Sequence, residues 1–153
     1  MQENRPQLPL EVQLQAACLP SVRESYELLV SFIPELKKWD PDHESHELYK
    51  GRIKEHFKFS PVELIKYLEA HPEVCKTLLN DSYDKRYSPS TFIEEMKDGK
   101  YRVGWVTWND NPLINQIRVF PAFWEAAADY VLFSWGLPRL TKEQSAWHEM
   151  AYY

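Results

Sequence analysis

Residues 120–137, FPAFWEAAADYVLFSWGL, constrain the fold most, because almost every position is apolar and both ends carry stop signals. At 100° per residue, a helix over 122–135 places Glu125 and Asp129 within about 40° of each other, as one narrow polar stripe. Phe123, Trp124, Ala127, Ala128, Tyr130, Val131, Ser134 and Trp135 spread over the remaining arc. A helix apolar on so many sides must be wrapped by other elements, and its alanines let one of them approach closely. Pro121 suits a first-turn position, where its missing N–H costs nothing, and Gly136 followed by Pro138 suits a C-terminal stop.

A small sheet is expected just before this helix. Residues 91–96 and 101–108 flank Lys97-Asp98-Gly99-Lys100, and Asp-Gly between two such runs is a strong hairpin signal. A two-residue turn would set Glu95 opposite Arg102, Met96 opposite Tyr101, Phe92 opposite Trp105 and Gly104 opposite Ile93. Opposite charges then meet on one face, aromatic and sulfur groups meet on the other, and Trp105 points inward. Asn109-Asp110-Asn111-Pro112 reads as a turn, and residues 113–120, rich in Ile and Val, as a third strand. Thr141 to Gln144 has the form of a capping box opening a short helix toward Met150.

The first half of the chain reads as helices punctuated by proline. Residues 1–9 hold two prolines and form a tail or extended arm. A short helix over 12–19 stops at Pro20. Ser21 and Glu24 then cap a longer one whose stripe is Val22, Tyr26, Leu29, Val30 and Ile33, with a break at Pro34. Asp40-Pro41 is another start, followed by His46, Tyr49, Ile53 and Phe57 at helical spacing. Ser60-Pro61-Val62-Glu63 repeats the signal, with Val62, Leu64, Ile65 and Leu68 as the apolar side. A last helix runs from Pro72 through Leu79 and closes at Asn80-Asp81-Ser82. Helices followed by a meander and a core helix imply an α+β class: N-terminal helices, a three-stranded antiparallel meander, a central apolar helix and a short C-terminal helix. At 153 residues the chain fits a single domain able to bury roughly 70% of its unfolded surface.

Lys plus Arg is 18 against Asp plus Glu 23, and the net charge of −5 is shared by both halves. No basic arm of the kind phosphate binding needs is present, which disfavours nucleic acid as a partner. Cys18 and Cys75 have no C-x-x-C spacing and read as reduced thiols. The N-terminus has no signal pattern and no apolar run reaches 18 residues, so the expected home is cytoplasmic and no membrane partner is expected.

Candidate chemistry is sparse. His43, His46 and Glu47 share a face at helical spacing, but the second histidine falls one position early for H-E-x-x-H. The spacing favours an acid-rich first turn complementing the helix dipole over a metal site. Asp129 reads as a carboxylate with a raised pKa, as the partner of Arg102, Arg118 or Arg139, or as a group facing water along the stripe with Glu125; the absence of a second placed group favours the structural roles. Tyr83, Tyr87, Trp105, Trp108 and Trp124, with Lys85, Arg86 and Arg102, hold the residue types typical of binding surfaces, although tryptophans beside a small sheet also fill its core. No nucleophile elbow, Cys/His cue or phosphate-cradling glycine loop occurs.

These observations point to a protein that binds another protein, needs no cofactor and has no catalysis of its own. By analogy of size, charge and missing motifs it is immunity-like, a toxin-neutralising inhibitor. The expected contact residues are Asp40, Asp42, Glu44 and Glu47, which would face a basic site, together with Arg86, Tyr87 and Trp108. Two other readings stay open: a metal-dependent enzyme using His43, His46 and Glu47, and a homo-oligomeric scaffold using Trp147, Met150, Tyr152 and Tyr153.

Overall fold

A computed structural model describes residues 8–38, 40, 46–84, 90–107 and 113–150. Its contacts divide the chain into two compact units, Met1–Phe59 and Ser60–Tyr153. Among the described residues no helix is long and apolar enough to cross a membrane. Most of the expected N-terminal arm, residues 1–7, lies outside the described residues.

The first unit holds α1 (Leu10–Ala17), α2 (Val22–Leu29), a 3₁₀ turn (Pro34–Lys38) and α3 (His46–Lys54). Ser21 caps α2 as the sequence implies, its hydroxyl accepting from the Glu24 N–H at 3.2 Å. Leu29, Ile33, Tyr49, Ile53 and Phe57 of the expected stripes are buried, as is Leu36 in the 3₁₀ turn, while Val22, Tyr26 and Val30 are only half-buried. Two buried polar side chains tie the unit together. Ser25 donates to the Ala16 carbonyl at 2.7 Å, and Gln13 donates to the Leu8 carbonyl while accepting from the Lys58 N–H. Each such bond contributes about 1 kcal/mol, but losing one partner would leave the other buried and unpaired.

The second unit is α+β: α4 (Pro61–Ala70), α5 (Pro72–Asp84), β1 (Ser90–Glu95), β2 (Tyr101–Thr107), β3 (Leu113–Phe120), α6 (Phe123–Trp135) and β4 (His148–Glu149). The sheet is antiparallel in the order β1-β2-β3-β4. Helix α6 lies on one face of β1 to β3 and also meets α4 and α5. All seven residues from Ala126 to Leu132 are buried, as a helix wrapped on most sides requires. It ends as expected, with Gly136 at φ 72° and the Leu137 N–H returning to the Leu132 carbonyl at 2.9 Å. Pro121, expected in the first turn, instead precedes the capping residue Ala122. In α4 the capping box of Ser60 and Glu63 is complete. Leu64 and Leu68 face the core, whereas Val62, expected there, is exposed because it sits two residues before Leu64.

The hairpin register differs from the expected one by a single residue. Pairing sets Glu94 opposite Arg102, Ile93 opposite Val103, Phe92 opposite Gly104 and Thr91 opposite Trp105. The cause is the turn. The Met96 carbonyl accepts from Gly99 at 3.0 Å, the Met96 N–H donates to the Lys100 carbonyl, and only Gly99 takes a positive φ, of 84°. This is a three-residue connection with its glycine in the left-handed position, not a two-residue turn with two positive φ values. A one-residue slip exchanges the faces. Here it is β1 that changes: Phe92 and Glu94, expected on the Trp105 face, lie on the other one, while Trp105 points inward as expected. Tyr101, Val103 and Trp105 face α6, where Tyr101 stacks on Phe123 at 4.3 Å and Trp105, only half-buried, lies 6.2 Å from Phe133.

Two further segments depart from expectation. Helix α5 continues through Asn80-Asp81-Ser82 to Asp84, because Ser82 and Tyr83 find partners on β1. After Thr141 the chain makes one turn, closed by Gln144 accepting from the Thr141 N–H, and then joins the sheet as β4 in place of the expected helix. Trp147 is buried there, its indole N–H donating to the Leu140 carbonyl at 3.1 Å, a position that a continuing helix would carry away from Leu140.

Candidate functional site

Strand alternation gives the sheet a second apolar face, turned away from α6: Phe92, Val106 and Ile117 are buried there, with Ile114 and Met150 packed against them. A groove of about 310 Å³ opens on this face. Its floor is Phe92, Val106 and Ile114, and one wall is the end of α5, Ser82 and Tyr83. Arg102 and Glu94, opposite each other in the corrected register, line it as an ion pair in which Nε and Nη2 of the arginine both donate to one carboxylate oxygen. The Arg102 guanidinium also sits 5.6 Å from the Phe92 ring. Tyr83 exposes 41% of its surface beside this floor.

The α5 wall is fixed by the edge of the sheet. Strand β1 is an edge, and its outward N–H groups need acceptors. Ser82 Oγ accepts from Ile93 at 2.9 Å and the Tyr83 hydroxyl accepts from Glu95 at 3.0 Å. The helix end therefore takes the place of a further strand and sets Tyr83 at the rim.

A second concavity, of about 400 Å³, is lined by Gln116, Ile117, Arg118, Arg139, Glu149 and Met150. Behind it lies Asp129, fully buried. Of the three arginines the sequence offered, Arg118 and Arg139 hold it. Arg139 donates from Nε at 2.9 Å and from Nη2 to one oxygen; Arg118 Nη1 at 3.3 Å and the Leu140 N–H at 3.1 Å donate to the other. Asp129 thus serves as a structural anion. Burial, and next the charge of Arg139, hold the Arg118 guanidinium below its ordinary pKa, against the opposing pull of Asp129. Arg118 also stacks 3.8 Å from the Trp147 ring.

The residues singled out in the sequence fare unevenly. Asp40 and Glu47 are exposed in the first unit, Glu47 in the first turn of α3. Asp42, His43, Glu44, Lys85, Arg86, Tyr87, Trp108, Tyr152 and Tyr153 lie outside the described residues, as does the His46 side chain. Among the described residues no group of three or more His, Cys, Asp or Glu side chains is placed to hold a metal ion. Tyr83 and Arg102 come together in the groove, whereas Trp124, 37% exposed, stands on α6 and is not part of its lining. Phe92 and Glu94 were missed because the one-residue slip had set them on the Trp105 face, away from Arg102 and Val106, and Ile114 because the sequence offered no register for its strand. Comparison of the chain with protein-family models, with curated proteins and with solved structures finds no match.

Proposed function

We propose that this protein acts by binding another protein and has no catalytic activity of its own. The observation that carries the reading is the groove: an apolar floor of Phe92, Val106 and Ile114, framed by Tyr83 and by the Glu94–Arg102 pair. An apolar centre with a polar rim is the usual anatomy of a protein interface, and tyrosine and arginine are among its strongest contributors. Asp129 supports the non-catalytic part, since both its oxygens already accept from guanidiniums or an amide. In its finer form the protein is an immunity-like inhibitor in which Asp40, Asp42, Glu44 and Glu47 occupy a basic site on the partner; that form rests on the charge of the chain.

The test is recovery of a stoichiometric partner by untagged protein from its own cells, followed by affinity measurement with Tyr83→Ala, Ile114→Asp and a variant neutralising the four acidic positions. Loss of about tenfold or more in affinity on Tyr83→Ala, with unfolding temperature retained, is the expected result for a hot-spot residue. Steeper salt dependence for the parent than for the neutralised variant would support the finer form. A wild-type protein that recovers no partner, or groove variants that bind as well as wild type, would sink the reading.

A further inference from the structure

We infer that the cleft lined by Arg118 and Arg139 is a binding site for a single carboxylate group. It shares no lining residue with the groove, so this inference stands apart from the protein-binding reading. Two guanidiniums share one buried carboxylate, Asp129, and the other acid of the cleft, Glu149, stands opposite Arg118 on β4. All three nitrogens of Arg139 are engaged. It donates to Asp129, to the Gln116 carbonyl at 2.7 Å and to the Val103 carbonyl at 3.3 Å. In Arg118 only Nη1 is engaged, with Asp129 and with the Leu140 carbonyl at 2.7 Å, while Nε and Nη2 donate to no group among the described residues.

Nε and Nη2 form the side-on edge of a guanidinium, which meets the two oxygens of a carboxylate through parallel hydrogen bonds. That edge is already positioned. Its plane lies against Trp147 at 3.8 Å, its far corner is tied to Leu140 and Asp129, and the side chain keeps 21% exposure. Little rotamer freedom is left to lose on binding. A singly charged, planar group fits better than a dianion, because Glu149, opposite Arg118 on β4 and also lining the cleft, repels added negative charge. Burial first, and the Arg139 charge second, lower the Arg118 pKa, and a bound anion would offset the second of these.

The experiment is a titration of ¹⁵N-labelled full-length protein with sodium acetate, following the Arg118 Nε–H and Trp147 indole resonances, with sodium chloride at equal ionic strength as reference. A saturable shift with acetate and none with chloride is expected. Glu149→Gln should tighten binding about threefold, the scale of one exposed charge pair, and Arg118→Lys should abolish it. Should Arg118→Lys unfold, Glu149→Gln still decides. A tetrapeptide with a free C-terminus that binds more tightly than acetate, and is lost on amidation, would support the site with a polypeptide end as source; equal affinities would support it with a small organic acid. A linear drift with acetate, an equal response to chloride, or no change in Glu149→Gln would overturn the inference.

Discussion

Arg139 holds the backbone of Gln116, its Nη1 donating at 2.7 Å to the carbonyl of the residue that bulges from β3 with φ 56°. Among the described residues this is the one non-glycine with a positive φ, and the register of β2 with β3 shifts there, between Val103 and Trp105. A left-handed residue costs about 1–2 kcal/mol. The bulge frees carbonyls that the ladder no longer uses, and Arg139 takes two of them, on Gln116 and Val103, while closing on Asp129.

Replacing Arg139 by Lys should therefore cost about 1–3 kcal/mol, since the lysine keeps the charge but one ammonium cannot serve all these acceptors, which leaves buried oxygens unpaired. Gln116→Gly should be neutral or stabilising by up to about 1 kcal/mol, because relief of the φ is partly offset by a more flexible unfolded chain. Urea unfolding of both variants checks the pair. An Arg139→Lys loss under 1 kcal/mol would contradict the assignment.

Gly104 lies where β3 crowds β2. A β-carbon there would stand 3.0 Å from the Asn115 carbonyl oxygen, 3.0 Å from Phe92 Cε1 and 3.1 Å from Ile117 Cγ1. Gly104→Ala should destabilise by roughly 1–3 kcal/mol, the usual cost of overpacking. Shortening Phe92 to Leu in the same chain should recover only part of it, because the oxygen belongs to the backbone. Full recovery in thermal melts would show that the ring alone was responsible.

The two caps on β1 should not be equal. Ile93 is buried, so Ser82→Ala strands its N–H and should cost about 1–3 kcal/mol. Glu95 is exposed and water can replace the tyrosine hydroxyl, so Tyr83→Phe should cost well under about 1 kcal/mol. Native-state hydrogen exchange gives the readout: the Ile93 amide should lose protection in the first variant and keep it in the second.

Cys75 is buried on α5 with its thiol directed to the Leu68 carbonyl, and burial pushes its pKa up to about 11. The folded state thus favours the protonated thiol. Its contribution to stability is full below the unfolded value of about 8.5 and is lost as pH rises toward the folded one. Unfolding temperature should fall between pH 8 and pH 11, and less steeply in Cys75→Ala. Disulfide reagents should label Cys75 only after denaturant is added.

The sequence made some of this legible and hid the rest for physical reasons. Helix α6 could be read because its apolar run and Gly136 are local signals, and β3 because Ile and Val cluster just before that helix. The hairpin register could not be, since Asp98-Gly99 serves a two-residue or a three-residue connection equally well; only the Met96–Gly99 hydrogen bond distinguishes them. The extension of α5 was hidden because Asn80, Asp81 and Ser82 favour turns locally, while the acceptor role of Ser82 is set by a strand 11 residues on. Asp129 has the structural role expected of it, but pairing over a place on the solvated stripe, and the choice among three arginines, depend on a bulge with no local signature. The groove escaped notice for the same reason as the register: its floor residues share a face only after the one-residue correction.

The reach of Arg139 also orders events during synthesis. Its partners on Val103 and Gln116 lie 36 and 23 residues upstream. While the ribosome is still extending the chain through α6, β2 and β3 can pair, but the bulge has no clamp and Asp129 no second guanidinium. The second unit therefore reaches its final geometry only after residues 139 and 140 have emerged, and a stall before that point would release an open sheet with an acid in its core.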